Sequence, residues 1–410
     1  MTNVSALEPV PDEKRTLGGF DFALLWVGAG VSLAAAFTGG FLVPLGFWGG
    51  LAAILGGHVI GNIALAWGHR LGAIRGVPTM VGLRAPFGAF GSYLATGLNV
   101  IQLVGWTAVM LIVASQAVGA LFPDAGETLR VAVILTAGVL STAWGFLGRR
   151  IWRIIQRVAV VMLSALTLWT TLRFVLDGGL SAIVGIGSTG EMNLGLGFDL
   201  VIAFPISWLP LVMDYGRLQK RGKRGGVGTY VGFLVGSAWL FAIGHWLAMG
   251  GIEPVVGFVL LGFGVPSLII VLLSTITTTF MDIYSTAVSF QNFTPRFSTD
   301  KLVVAAGLIS TAIAVFFPVH EYESFLLLIG SVFVPLGAVL LADSLLSGRL
   351  IPTRAAYNVS IRWTAVVVWV LGVALFHVLA KWTSIGASIP TFLATGALYV
   401  IVELVTRNRS

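Results

Sequence analysis

The chain has 410 residues, 57% of them hydrophobic and 10% charged, with a mean hydropathy of +0.96, a balance that excludes a soluble globular enzyme. It contains no cysteine, which removes disulfides and thiolate-held metals. Its net charge of +7 fits the rim of a membrane protein facing anionic lipid, and no nucleic-acid partner is implied.

A membrane span needs ~20 mostly apolar residues. In chain order such stretches fall at 20–44, 47–69, 87–121, 130–147, 152–176, 197–217, 227–250, 264–292, 302–318, 324–346, 361–380 and 387–405. They predict an all-α integral membrane protein of twelve transmembrane helices, with connections too short for a soluble domain. Residues 1–19 are polar and lack a signal-peptide pattern, so the first span is expected to act as its own insertion signal. The stretch 177–196 is Gly- and Ser-rich, and a short surface helix is expected between Asp177 and Asn193. Trp26, Trp48, Trp67, Trp152 and Trp382 lie near span ends, where an indole prefers the membrane interface.

Of 24 Lys and Arg residues, all but Arg130, Arg173 and Lys381 fall at one set of span ends. The clusters around 149–157 and 217–224 are joined there by Arg349, Arg354, Arg407 and Arg409. Basic loops stay in the cytoplasm, so both termini are expected inside a cell membrane.

Two spans look interrupted. The first carries Gly28 and Gly30 at mid-membrane depth, and the sixth carries Pro205 and Pro210. Each proline removes a backbone donor, and freed backbone at this depth is tolerated where it lines a cavity or is buried in protein. Gly and Pro also serve simply to pack or kink spanning helices. Spans one and six are corresponding members of two five-helix units, 20–176 and 197–346, the second inverted. Paired interruptions at matching places point to a transporter's binding site. Residues 347–405 would then be two appended helices and 406–410 a cytoplasmic tail.

On the eighth span, Thr277 and Thr278 lie one turn beyond Ser274 on the same helix face. Two hydroxyls and one carbonyl from that turn, with the Gly28 and Val31 carbonyls of the first span, would give five neutral oxygens suited to Na⁺. The competing reading has the hydroxyls bonding back within their own helix. On the third span Asn99, Gln102 and Trp106 share one face. Amides beside an indole suit a flat heteroaromatic, with Trp208 as the opposite wall; polar bridging between helices is the alternative. Among ionisable residues in the spans, Asp282 lies deepest, while Asp214 and Asp343 are expected to pair with nearby cytoplasmic arginines such as Arg217 and Arg349. The histidines show no metal-ligand spacing, and no catalytic motif stands in a suitable context.

These residues bring out a resemblance. Asp21-Phe22 with Leu25-Trp26, Phe37 to Gly40, Gly105-Trp106, Pro210 to Arg217, the Thr run ending in Ile283-Tyr284-Ser285, and Pro335 to Asp343 occur in order along the chain. In these it resembles the nucleobase:cation symporter family that includes cytosine and hydantoin permeases, and within it looks most like the hydroxymethylpyrimidine permeases. The resemblance implies an inverted five-plus-five fold of the amino-acid/sodium symporter type with discontinuous helices 1 and 6. It implies substrate held between Trp106 and Trp208 with the Ser207 backbone at the ring edge, and Na⁺ on Gly28, Val31, Ser274, Thr277 and Thr278. Two positions depart from the cytosine permease pattern. The family glutamine three residues before the tryptophan is matched by Leu103, with Gln102 one place earlier, and the eighth-span asparagine is matched by Thr279.

The expectation is therefore a secondary active symporter, not an enzyme, coupling Na⁺ to a pyrimidine-type substrate, with Trp106, Trp208, Ser207, Gln102, Asn99, Thr279 and Asp282 around the ring. A proton on Asp282 driving uptake of cytosine or another nucleobase is the alternative. A membrane receptor or enzyme with an aromatic-ligand pocket is a further one. The partners expected are the substrate and the bilayer, with no obligate protein partner.

Overall fold

The computed structural model describes residues 8–146, 149–316, 322–346, 359–382 and 384–407. Eleven long apolar helices cross the molecule, and a twelfth span is a pair of helices, Gly19–Gly30 and Leu33–Gly40, bent by 51° at their junction. The second to sixth spans are Gly46–Arg75, Ala89–Gly119, Gly126–Trp144, Arg149–Leu176 and Leu194–Gly216. The seventh to twelfth are Gly225–Met249, Val265–Phe290, Thr299–Phe316, Tyr322–Leu346, Trp363–Trp382 and Ser388–Arg407. A short helix, Gly179–Ile183, sits in the Gly- and Ser-rich connection, as its composition predicts.

The packing repeats itself in two halves. The first span lies along the seventh, and the sixth along the second. The fourth packs on the third and the ninth on the eighth, while the fifth touches the first and the tenth touches the sixth. Exchanging each span for the one five places on returns the same contacts, which is the signature of a five-plus-five repeat. The eleventh and twelfth spans pack on the tenth, outside the repeat.

Small residues set the closest of these contacts. A Cβ on Gly30 would lie 2.7 Å from the backbone nitrogen of Ser237, and one on Gly236 would lie 2.8 Å from the Val27 carbonyl. Gly228 and Gly232 press likewise on the backbone of Gly19 and Ala23. Glycines four residues apart form one stripe of the seventh helix. That stripe lets the first span approach backbone to backbone, as is common between membrane helices.

The termini of the spans gather on two faces. On one, Val10 N donates to Gly76 O (2.9 Å), Arg15 Nη1 to Ala73 O (2.8 Å) and Lys220 N to Leu17 O (2.9 Å), while Arg362 N donates to Phe87 O (2.9 Å). On the other, Thr189 N reaches Pro44 O (3.0 Å), Gly195 N reaches Ser384 O (3.2 Å) and Arg130 Nη2 reaches Val315 O (2.7 Å). The described basic residues of the first set share a face, opposite Arg130. Arg349, Arg354 and Arg409 lie outside the described residues.

Three sequence expectations change. Trp26 is not an interface residue: it is fully buried, edge-on to Trp208, Tyr215 and Phe233, because the half-helix carrying it is enclosed by the sixth and seventh spans. Trp48 and Trp382 are exposed, as expected at an interface, and Trp152 falls outside the described side chains. Asp214 and Arg217 attract electrostatically without a close ion pair, and the Arg217 Nε donates to the Asp214 carbonyl (3.1 Å). Asp214 Oδ1 accepts from Thr79 N (3.0 Å), and Asp343 Oδ1 accepts from Tyr399 OH (3.0 Å). The sixth span, expected to be discontinuous, runs as one helix through both prolines. Its interruption lies in hydrogen bonding: Pro205 and Pro210 leave the carbonyls of Val201 and Ile206 without their helical donors.

Candidate functional site

The break in the first span organises the centre of the molecule. Val31 (φ −79°, ψ 77°) and Ser32 (φ −130°, ψ 148°) leave the helical region. Ser32 then caps the second half-helix, its Oγ accepting from Ala35 N (3.3 Å). Ser32 N donates to Gly30 O (3.0 Å), and Ala35 N also reaches Ser32 O (3.0 Å). In an unbroken helix those two amides would serve the carbonyls of Gly28 and Val31. The two carbonyls assigned to a cation from the sequence are thus among those at the break that lose their helical donors.

The eighth span faces this break. Thr278 Oγ1 is buried with no partner. Thr277 Oγ1 donates to Ser274 O (2.8 Å), the within-helix bond of the competing reading, though each oxygen keeps a further lone pair. The donor set is neutral and hard: three carbonyls and two hydroxyls, which suits Na⁺. A residue that sequence reasoning missed lies alongside. Gln156 of the fifth span is buried with neither amide atom partnered, and its Nε2 would stand 2.9 Å from a Cβ on Gly28. Only its place in an otherwise apolar helix face could have singled it out.

Beside the break is a cavity lined by Ser32, Ala34, Leu103, Trp106, Met110, Phe204, Ser207, Trp208, Leu211, Thr278 and Asp282. Its volume is about 10 Å³, room for about one water molecule. A six-membered ring enters only if the walls part. Trp106 and Trp208 are braced edge-on, Trp106 by Phe204 (ring centroids 5.6 Å apart) and Tyr322 (5.8 Å), Trp208 by Trp26 (5.6 Å). Tyr322 in turn shares a hydrogen bond with Thr38 (2.9 Å), tying the tenth span to the end of the first.

Of the residues assigned to the substrate from the sequence, Trp106, Trp208, Ser207 and Asp282 line this cavity. Gln102, Asn99 and Thr279 are not among its lining residues. Gln102 Nε2 donates to Ser207 O (2.9 Å) and to Asn99 Oδ1 (2.8 Å), and Asn99 Nδ2 donates to Ser289 Oγ (2.8 Å). These amides join the third, sixth and eighth spans, the bridging role weighed against substrate contact. Leu103, at the place of the family glutamine, does line the cavity. Thr279 is buried with its hydroxyl unpartnered.

Known proteins share this architecture. The cytosine permease of Escherichia coli (strain K12) is 26% identical over 378 residues, covering 90% of this chain and 88% of that one. The structure of Mhp1, a nucleobase-cation-symport-1 family transporter in a closed conformation with bromovinylhydantoin bound, superposes with a TM-score of 0.83. It does so at 20% identity, over 99% of this chain and 96% of that one. A Na⁺-coupled sialic acid symporter in a substrate-bound outward-open state gives a TM-score of 0.67 at 14% identity, over 97% and 91% of the two chains. The likeness to these two transporters is one of fold. A family model described as permease for cytosine/purines, uracil, thiamine, allantoin matches residues 9–400, and the chain belongs to that family.

Proposed function

We propose that the protein is a Na⁺-coupled symporter that takes up a pyrimidine-type ring, hydroxymethylpyrimidine first among candidates, by alternating access. One observation carries this reading: a central cavity walled by Trp106 and Trp208 adjoins a helix break whose Gly28 and Val31 carbonyls have lost their helical donors. The rings would stack on a flat heterocycle, each aromatic contact contributing ~0.5–1.5 kcal/mol beyond area burial. The Ser207 backbone, held by Gln102 and Asn99, would meet the ring edge, with Thr279 behind it. Na⁺ on Gly28, Val31, Ser274, Thr277 and Thr278 would fix the broken span in its substrate-ready form. Coupling follows because the ion then favours one side of the alternating-access equilibrium. By the positive-inside rule, both termini would lie in the cytoplasm of a cell-membrane protein. Residues 20–176 and 197–346 would be the two inverted five-helix repeats, with 347–405 appended.

A ligand that binds only the folded state raises its apparent melting temperature by mass action. Detergent-purified protein titrated with hydroxymethylpyrimidine and with cytosine should melt higher with the former, and the shift should grow when Na⁺ replaces choline. A shift of equal size in both salts would move the coupling to a proton, for which the buried Asp282 carboxylate in the cavity is the candidate. No shift with any pyrimidine, in folded protein, would overturn the substrate reading.

A further inference from the structure

Four aspartates are buried in the described spans, and three accept a hydrogen bond from a protein donor, Asp214 through one of its two oxygens alone. Asp199 accepts from Ala387 N and Ser388 N (2.7 Å each), capping the twelfth helix. Asp214 accepts from Thr79 N and Asp343 from Tyr399 OH. Asp282 is different. It is 4% exposed, and among the described residues no hydrogen bond or ion pair reaches its carboxyl group. The neighbouring Tyr215 hydroxyl is turned to Met281 O and Ser285 Oγ (3.4 Å each). Asp282 is also the one ionisable residue lining the cavity, one helical turn beyond Thr278, and it shares that lining with Trp106 and Trp208.

An unpaired ionisable group inside a membrane costs ~2.5–3.5 kcal/mol on insertion scales and is retained where it serves function. The chemistry of a lone carboxyl group facing two indoles narrows what that function is. We propose that Asp282 reads the edge of the substrate ring and selects heterocycles with an amino group beside a basic ring nitrogen. This rests on the cavity being the substrate site. Such an edge offers one acceptor, the ring nitrogen, next to one donor, the amino N–H. A carboxyl group carrying one proton offers the complement: its O–H donates to the ring nitrogen and its second oxygen accepts from the amino group. With the proton on oxygen or on nitrogen the pair has the same composition and total charge, so either partner can bring it. An oxo ring presents a carbonyl oxygen beside an N–H. It can form two neutral hydrogen bonds with the acid, but its oxygen is far less basic and gains no charge assistance.

The difference is read by competition between two rings. Hydroxymethylpyrimidine and its 4-oxo counterpart differ at this edge and share the rest of the ring. Binding of both to purified wild type and to Asp282→Asn is measured by calorimetry in saturating Na⁺. Wild type is expected to favour the amino ring roughly ten- to hundredfold, the range of a hydrogen bond to a charged group. Asp282→Asn keeps the size of the side chain and pairs with both edges through neutral hydrogen bonds. It should bind the oxo ring as before and lose the preference. A preference that persists in Asp282→Asn, or a wild type that binds both rings equally, overturns the assignment. So does a folded variant that has lost both rings, since the residue would then not act on the edge. The fold of the variant is checked by its melting temperature without ligand, and Asp282→Thr replaces it if the asparagine does not fold. Failure of wild type to bind either ring would instead remove the pyrimidine reading of the cavity, and this inference with it.

Discussion

The first and sixth spans hold corresponding places in the two halves, yet the first is broken by a 51° bend and the sixth continues through two prolines. Their sequences advertise interruption in the same way, by glycine in one and proline in the other. Physically the two residues act differently. Proline removes a donor and crowds the carbonyl four residues back, yet its φ is near the helical value, and here the sixth span stays helical with carbonyls freed. In the first span the unwinding is at Val31 and Ser32, not at a glycine, and neither Gly28 nor Gly30 takes a positive φ. Those glycines make room: for Val160 and Gln156 of the fifth span in one case, and for the Ser237 backbone of the seventh in the other. A break made by close packing frees carbonyls and turns the chain by 51°. Prolines in an enclosed helix free carbonyls and leave it one helix.

The sharpest way to break this comparison is to take the room away. Gly30→Leu would place a branched side chain where a single Cβ already stands 2.7 Å from backbone, and backbone cannot rotate aside as a side chain can. Overpacking of this kind costs ~1–3 kcal/mol, and more where nothing yields. The expected outcome is loss of most monodisperse protein on size-exclusion chromatography. Normal yield and melting temperature would show that the first span does not depend on this contact.

The spans, their order and the extra helix between Asp177 and Asn193 were legible because bilayer thickness and turn chemistry act locally along the chain. The partners of buried polar groups were not. Asp214 finds Thr79 and Asp343 finds Tyr399 across long sequence separations, hydrogen bonds that no local spacing shows. Trp26 sits near a span end, and its hydropathy is that of an interface indole. Only the enclosure of its half-helix by two other spans decides otherwise. At the candidate site, spacing placed Thr277 and Thr278 one turn beyond Ser274 on the eighth helix. It could not say that Thr277 bonds back to Ser274 while Thr278 stays unpartnered. Gln102 illustrates the same limit, since spacing aligned it with Trp106 but the cavity wall is Leu103.

The broken span's freed carbonyls have meaning only if the eighth span completes their site. Thr278→Ala removes one neutral oxygen ligand and little packing. The Na⁺ concentration giving half-maximal uptake in proteoliposomes should rise roughly tenfold, as a loss of ~1.4 kcal/mol in ion binding gives. Substrate affinity at low Na⁺ should fall with it, because coupling is reciprocal. An unchanged Na⁺ dependence would remove Thr278 from the ion site and leave the break without its partner.

The smallest expected effect tests the sixth span. Pro205 cannot be changed cleanly, because its ring packs where a Cβ on Gly61 would lie 2.5 Å from it. Pro210 faces no glycine in this way, so Pro210→Ala restores one N–H to the Ile206 carbonyl at the cost of the buried ring atoms it removes. The new hydrogen bond stabilises by ~0.5–1.5 kcal/mol, and the greater freedom of the unfolded chain offsets ~0.4–1 kcal/mol of that. The melting temperature should therefore move by only a degree or two, upward if at all. Transport should respond more than stability does. If the sixth span must flex beside Ser207 and Trp208 to admit a ring into a cavity now the size of one water, a freed carbonyl lowers the cost of that bend. Closing the gap with Ala should then slow maximal uptake while equilibrium binding of substrate stays within about twofold. A variant with wild-type turnover would mean that the prolines only shape a rigid helix, and that the first span alone supplies the moving break.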